Sequence, residues 1–302
     1  MKNIRWKPIL NWAGFATGIV GVIFVAIKLW HYSDDIRFSS LSLLTLVLLL
    51  GLSLAYGCAN LLISIAWRDL LLYFGVQVNL KWAIQTYGVS QIAKYIPGNI
   101  FQFAGRQAIG QSANIPAKAL IKSSFWEIGL LAFTSSFFAI LVIPIFWQKM
   151  GSHIASAIFL ATLVIVNFCL SEWVGKSIAS AMRWYVLFLG IAGLIFYSVL
   201  TAIPSTEPEA QFIFISIIGT YVVAWVAGLL TPGAPAGIGI RELVFLSVLH
   251  SIIPDSELLM AIVLGRIVTV CGDVFFYIFS LTLSLIKKIS SRYNRFSICR
   301  IE

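Results

Sequence analysis

Long apolar runs with few charged residues follow one another along most of this chain. A membrane-spanning helix needs about 20 mostly apolar residues. Six runs meet that length, at residues 9–30, 41–67, 120–147, 154–174, 184–203 and 258–286. Run 9–30 is too long for a signal-peptide core and lacks a small-residue cleavage site, so we expect it to be retained. The pattern predicts an all-α polytopic membrane protein with six full transmembrane helices.

Two further apolar stretches, residues 81–106 and 212–252, are each interrupted by a Pro-Gly pair. The pairs are Pro97-Gly98 and Pro232-Gly233. Proline lacks a backbone donor and clashes with the preceding turn, so a regular helix does not continue through either pair. Non-helical backbone at membrane depth must be buried in protein or line a cavity. We therefore predict two broken helical hairpins that each re-enter on the side they left.

Composition and charge agree with a membrane protein. The 302 residues are 60% hydrophobic and 11% charged, whereas soluble domains carry roughly 25% charged residues. This excludes soluble enzymes and, despite a net charge of +9, soluble nucleic-acid binders. Most basic residues fall in loops on one side of the membrane if both termini are cytoplasmic and each broken stretch crosses an even number of times. This distribution follows the positive-inside rule. The cytoplasmic set is Lys2, Arg5, Lys7, Arg68, Lys81, Lys118, Lys122, Lys176, Arg183, Lys287, Lys288, Arg292, Arg295 and Arg300.

The two broken stretches resemble each other. Thr86-Tyr87 through Arg106 aligns with Thr220-Tyr221 through Arg241, and in both copies the arginine falls nine positions after the proline. Three full spans separate the copies, which would make them inverted, as in many transporters whose substrate site lies between broken helices. We therefore expect one membrane domain over residues 1–302, with repeat halves at about 41–147 and 184–286 and a basic cytoplasmic tail at 287–302.

Charged residues inside these apolar segments are the candidates for function, because a charge at the bilayer centre costs about 2.5–3.5 kcal/mol on insertion scales. A helix that restarts after a break also points free N–H groups and a positive dipole end into the protein, which suits a phosphate. Glu127 is expected to neutralise Arg106 or to relay a proton. The structural alternative is a set of salt bridges that hold the bundle together. The candidate substrate-binding residues are Lys94, Pro97, Gly98, Asn99, Arg106, Glu127, Pro232, Gly233, Arg241, Glu242, Arg266 and Asp273.

The run Lys94-Tyr95-Ile96-Pro97-Gly98 leading to Arg106, together with Thr231-Pro232-Gly233 through Gly237-Ile238-Gly239-Ile240-Arg241-Glu242, Gly265-Arg266 and Asp273, resembles the flippase-like membrane region of the lysylphosphatidylglycerol synthase family. The resemblance implies a multi-pass protein of the bacterial or archaeal cytoplasmic membrane that moves an amphiphilic lipid between leaflets. The chain ends soon after its last span, so the aminoacyl-transferase activity of bifunctional members is not expected. The implied cargo is an anionic phospholipid or a polyprenyl-phosphate-linked sugar or glycolipid. One departure is the sequence Pro-Gly-Ala-Pro-Ala-Gly in the second motif, where the family more often has a plainer glycine-rich turn.

Two other functions are open from the sequence. A membrane glycosyltransferase with a lipid-phosphate donor would use the acidic pair Asp34-Asp35 as base or metal ligand. A non-catalytic protein would instead position a glycosyltransferase at the membrane. The sequence has no nucleotide-binding loop and no His or Cys spacing typical of a metal site, so we expect no cofactor. Expected partners are the lipid substrate, surrounding lipids, a glycosyltransferase and a second copy of the chain, but not nucleic acid.

Overall fold

The computed structural model describes residues 42–95, 100–147, 149–203, 210–231, 237 and 239–298, without the side chains of 210–213 and 284–298. Within these ranges the regular structure is helical and contains no strand. The helices are α1 (Leu43–Tyr73), α2 (Leu80–Gln91), α3 (Phe101–Ser112), α4 (Ala117–Phe138), α5 (Ile143–Phe146), α6 (Ser152–Trp173), α7 (Lys176–Thr201), α8 (Ala210–Leu230), α9 (Ile240–Leu249) and α10 (Asp255–Ile298). Short 3₁₀ turns follow α2 (Ile92–Tyr95) and α4 (Ala139–Val142).

Five helical segments of the described chain are long and apolar enough to cross a membrane. They are Leu43–Tyr73, Ala117–Phe146, Ser152–Trp173, Lys176–Thr201 and Asp255–Leu283. These segments coincide with five of the six predicted spans, which confirms a helical chain of multi-pass membrane type. The predicted span 9–30 and the acidic pair Asp34-Asp35 lie outside the described residues.

Helices flank both Pro-Gly pairs, although the pairs themselves lie outside the described residues. The first stretch consists of α2, its 3₁₀ turn and then α3, and the second consists of α8 and then α9. Within each stretch the two helices pack against each other. Re-entry on the side of departure and the inverted repeat remain predictions. The predicted tail begins as a continuation of α10, which runs to Ile298.

Helix α1 lies at the centre of the bundle and packs against α7 and α10. Tyr56 and Trp67 of α1 are fully buried, as are Tyr185 and Phe188 of α7. Helix α6 lies at the edge, where Phe168 is 65% and Trp173 is 84% exposed. A long apolar helix with so little of its surface covered suits a lipid-facing position, because an exposed apolar face of this size is unfavourable in water.

The contact of α1 with α10 depends on two glycines. A Cβ atom added at Gly57 would lie 2.9 Å from the carbonyl oxygen of Gly272, and one added at Gly272 would lie 2.7 Å from that of Ser53. Backbones of membrane helices approach this closely only where small residues face each other. The core of the bundle therefore has no room for a methyl group at this crossing.

We expect Gly57→Ala to destabilise the protein by about 1–3 kcal/mol, the usual cost of overpacking a core. Gly51→Ala is the matched control on the same helix, because a Cβ atom at Gly51 meets nothing within 4 Å. Thermal unfolding in detergent measures both variants. Equal melting temperatures would contradict the close crossing.

Candidate functional site

Seven charged residues from five parts of the chain meet in the interior of the bundle. We call Lys94, Arg106, Glu127, Arg241, Glu242, Arg266 and Asp273 the charged cluster. Along α10, Arg266 and Asp273 lie about 16 and 27 Å from the start of the helix, taking a rise of 1.5 Å per residue. Both positions lie within Asp255–Leu283, one of the segments that are long and apolar enough to cross a membrane.

Arg106 of α3 and Glu127 of α4 form a fully buried ion pair. The Nη1 atom of Arg106 lies 2.5 Å from Oε2 of Glu127, and the hydroxyl of Tyr87 donates a 2.7 Å hydrogen bond to the other carboxylate oxygen. The guanidinium also lies 4.2 Å from the centre of the Tyr87 ring and 5.0 Å from that of Phe103. With 1% of the Arg106 side chain exposed, this pair joins α2, α3 and α4.

Arg266 of α10 pairs with Glu242 of α9. Its Nη2 and Nε atoms lie 2.8 and 2.9 Å from Oε1 of Glu242, and Nη2 also donates to the carbonyl oxygen of Gly237 at 3.1 Å. The other oxygen of Glu242 accepts a 2.6 Å hydrogen bond from the backbone N–H of Gly239, which caps the first turn of α9. This pair therefore holds the backbone that follows the second Pro-Gly pair.

Lys94 and Asp273 form the third pair. The Lys94 ammonium lies 2.6 Å from Oδ2 of Asp273, which also accepts a 2.5 Å hydrogen bond from the Tyr95 hydroxyl. The amide of Asn60 donates to Oδ1 at 3.0 Å. Lys94 and Tyr95 belong to the 3₁₀ turn just before the first Pro-Gly pair, whereas Asn60 lies on α1 and Asp273 on α10. Asp273 thus connects the end of α2 to the central helices.

Arg241 is the remaining cation of the cluster. Among the described residues, no carboxylate lies within 4.0 Å of it and its buried Nε atom has no hydrogen-bond partner. Its guanidinium carbon lies 5.5 Å from the centre of the Trp225 ring. Arg241 is held close to α8, because a Cβ atom at Gly228 would lie 2.8 Å from its Nε.

Arg241 lines a cavity of about 30 Å³ between the two broken stretches. Polar side chains of the first stretch and of α4 face the same space, and the lining comprises Ile63, Tyr87, Gln91, Lys94, Gln102, Phe103, Glu127, Leu131, Trp225, Leu229 and Arg241. On this measure one buried water molecule needs about 10–15 Å³ of cavity volume. The cavity therefore has room for about two or three water molecules, which is less than a complete lipid head group occupies.

This arrangement favours an anion. Arginine is always charged and presents planar donors that match carboxylate and phosphate geometry, and Lys94 of the first stretch adds an ammonium group to the same lining. Gln91 and Gln102 supply neutral donors and acceptors. No group of three or more His, Cys, Asp or Glu that would suit a metal ion occurs in the part of the chain that the structure describes.

The structure brings together all the charged residues that the sequence proposed for the site. It places them as three separate pairs plus Arg241, and Glu242 contacts Arg266 rather than the adjacent Arg241. Pro97, Gly98, Asn99, Pro232 and Gly233 lie outside the described residues. Arg266 and Asp273, seven positions apart on one helix, have different partners, as in the structural alternative of separate interhelical salt bridges.

Sequence reasoning missed the neutral partners of these charges. They are Asn60, Tyr87 and Tyr95. The role of Asn60 could have been predicted from the sequence, because it is the one carboxamide residue within the apolar run 41–67. Polar side chains inside membrane helices form hydrogen bonds with other helices. The sequence marks Tyr87 and Tyr95 only as positions of the repeat and of the family motif, because a tyrosine ring suits lipid interfaces and helix contacts equally well.

No protein-family model matches this chain, and no curated protein matches it either.

Proposed function

We propose that this protein is a membrane transporter that moves a lipid or lipid-linked glycan with an anionic, phosphate-bearing head group between the two leaflets. The head group would bind in the cavity between the two broken stretches, which would act as inverted hairpins. The resemblance of both Pro-Gly motifs to the flippase-like region of lysylphosphatidylglycerol synthases supports the same class and the bacterial or archaeal cytoplasmic membrane.

The observation that carries the proposal is the position of Arg241. It faces the cavity with no carboxylate partner among the described residues. An unneutralised cation at membrane depth is costly and marks substrate or ion pathways. A phosphate that accepts hydrogen bonds from Arg241 and Lys94 would remove that cost, which supports an anionic head group as the ligand.

The small volume of the cavity supports transport by movement of the broken stretches. A complete lipid head group is larger than the roughly two or three water molecules that a cavity of about 30 Å³ holds, so its binding requires the walls to separate. The first stretch is held by Asp273 and Glu127 and the second by Arg266. Rocking of one stretch at a time would open the cavity to one leaflet while these contacts keep the other side closed, as in alternating access.

The test is lipid exchange between leaflets in proteoliposomes. We expect a fluorescent phosphatidylglycerol in the inner leaflet to become accessible to an external membrane-impermeant quencher faster than in protein-free vesicles. A matched phosphatidylcholine probe should exchange more slowly, because its head group has no net charge. Mass spectrometry of lipids that co-purify with the protein in mild detergent would then identify the natural cargo. Equal rates with and without protein for both probes would contradict the proposal.

A further inference from the structure

Among the described residues, the charged cluster holds more positive than negative side chains. The charged cluster contains four cations, Lys94, Arg106, Arg241 and Arg266, and three carboxylates, Glu127, Glu242 and Asp273. The residues of the two broken stretches that lie outside the description, 96–99, 232–236 and 238, include no charged side chain. The cluster therefore carries one net positive charge.

The three ion pairs of the cluster are not easily broken, so none of their carboxylates becomes available to Arg241. Arg106 is enclosed by aromatic rings and Glu127, and Arg266 holds Glu242 through two nitrogen atoms. Each carboxylate is at most 5% exposed. Breaking such a buried pair would leave an uncompensated charge in a medium of low dielectric constant. The three pairs are therefore fixed as neutral units, and the excess charge belongs to Arg241.

We infer that the site selects a head group with one net negative charge, and hence a phosphodiester. This inference rests on the proposed function and specifies its substrate class. A phosphodiester monoanion brings the cluster to neutrality. A phosphomonoester or diphosphate brings it to −1 or below, and a zwitterionic head group leaves it at +1. Both imbalances are costly at membrane depth, because the energy of an uncompensated charge rises as the dielectric constant falls.

Lys94 strengthens the selection of a monoanionic head group without changing the net charge of the cluster. Its ammonium lines the cavity, is 13% exposed and contacts Asp273 through one oxygen. An ammonium group has three donors, so Lys94 can donate to a phosphate oxygen while it still neutralises Asp273. The two free oxygens of a phosphodiester would then accept hydrogen bonds from Lys94 and Arg241, one oxygen for each residue.

The experiment compares three dioleoyl lipids with the same tails and different head-group charge. These are phosphatidylcholine, phosphatidylglycerol and, at pH 8.5, doubly charged phosphatidic acid, each titrated against the detergent-purified protein. We expect phosphatidylglycerol to bind roughly tenfold or more tightly than either of the others, the effect of one uncompensated charge in a partly polar interior. A fourth probe, a phosphodiester on an isoprenoid chain, distinguishes a polyprenyl lipid from a glycerophospholipid as the source of that head group.

Changing the net charge of the cluster should change which lipid head group binds most tightly. Asp273→Asn raises the net charge of the cluster to +2, and we expect the preference to shift toward phosphatidic acid by roughly tenfold relative to phosphatidylglycerol. Gln91→Lys reaches the same net charge without touching the Asp273 contacts, in case the first variant fails to fold. Size-exclusion profiles and melting curves check the fold of both.

The outcomes separate this inference from the proposed function. If no anionic lipid binds more tightly than phosphatidylcholine, the proposed function fails and this inference with it. If both anionic lipids bind but the wild type does not favour phosphatidylglycerol, the proposed function stands and charge matching is overturned. An unchanged preference in a folded Asp273→Asn or Gln91→Lys protein would overturn it as well.

Discussion

Replacing Arg241 with Gln should weaken binding of an anionic lipid by about 10–100-fold, since hydrogen bonds to charged groups contribute about 1.5–3 kcal/mol. The fold should survive, because no described carboxylate loses a partner when Arg241 is removed. Leaflet exchange of phosphatidylglycerol should fall to the rate of protein-free vesicles. Lipid titration and the quenching assay measure these two effects.

The matched control for this variant is Arg183→Gln. Arg183 is an exposed arginine of α7 whose Nη1 atom donates to the side chain of Asn167 at 3.1 Å, away from the cavity. It should bind and exchange lipid as the wild type does. Arg241→Lys keeps the charge but loses the planar donor pair, so an intermediate affinity is expected. Normal exchange by Arg241→Gln would remove the main support for the anion site.

The second large effect concerns the pair of Arg106 and Glu127. Arg106→Met or Glu127→Met alone should destabilise the protein by about 3–5 kcal/mol, because each leaves one buried charge without its partner. The double variant should lose less than either single variant, since both charges disappear together. A third change, Tyr87→Phe, removes the hydroxyl that would otherwise lack its acceptor. Unfolding in mixed detergent micelles measures these free energies.

The same series shows whether Arg106 contacts the substrate. Arg106 is 1% exposed and enclosed by aromatic rings, which indicates a role in holding α2, α3 and α4 together. The double variant should therefore retain leaflet exchange once it is folded. A stable double variant without exchange would assign the pair to transport. Destabilisation by the double variant equal to the sum of the single effects would contradict the pairing itself.

The sequence alone was sufficient to predict a helical membrane protein. Apolar runs of about 20 residues have few alternatives to a spanning helix, and five predicted spans correspond to long helices of the described chain. Proline chemistry was sufficient to place helix boundaries near residues 97 and 232. The cost of intramembrane charge singled out Arg106, Arg241 and Asp273 as residues that need partners.

Which residues provide those partners was decided only by the tertiary structure. Asp273 meets Asn60, which is 213 positions away in the chain, and Glu242 meets Arg266 rather than its neighbour Arg241. Such choices depend on how helices rotate and cross, as at Gly57 and Gly272, where small residues let α1 and α10 approach. Hydropathy is a sum over local residues and contains no information on which faces meet. The sequence determined that this protein buries charges within a membrane bundle, and the packing determined that Arg241 is the cation of the charged cluster without a described carboxylate partner.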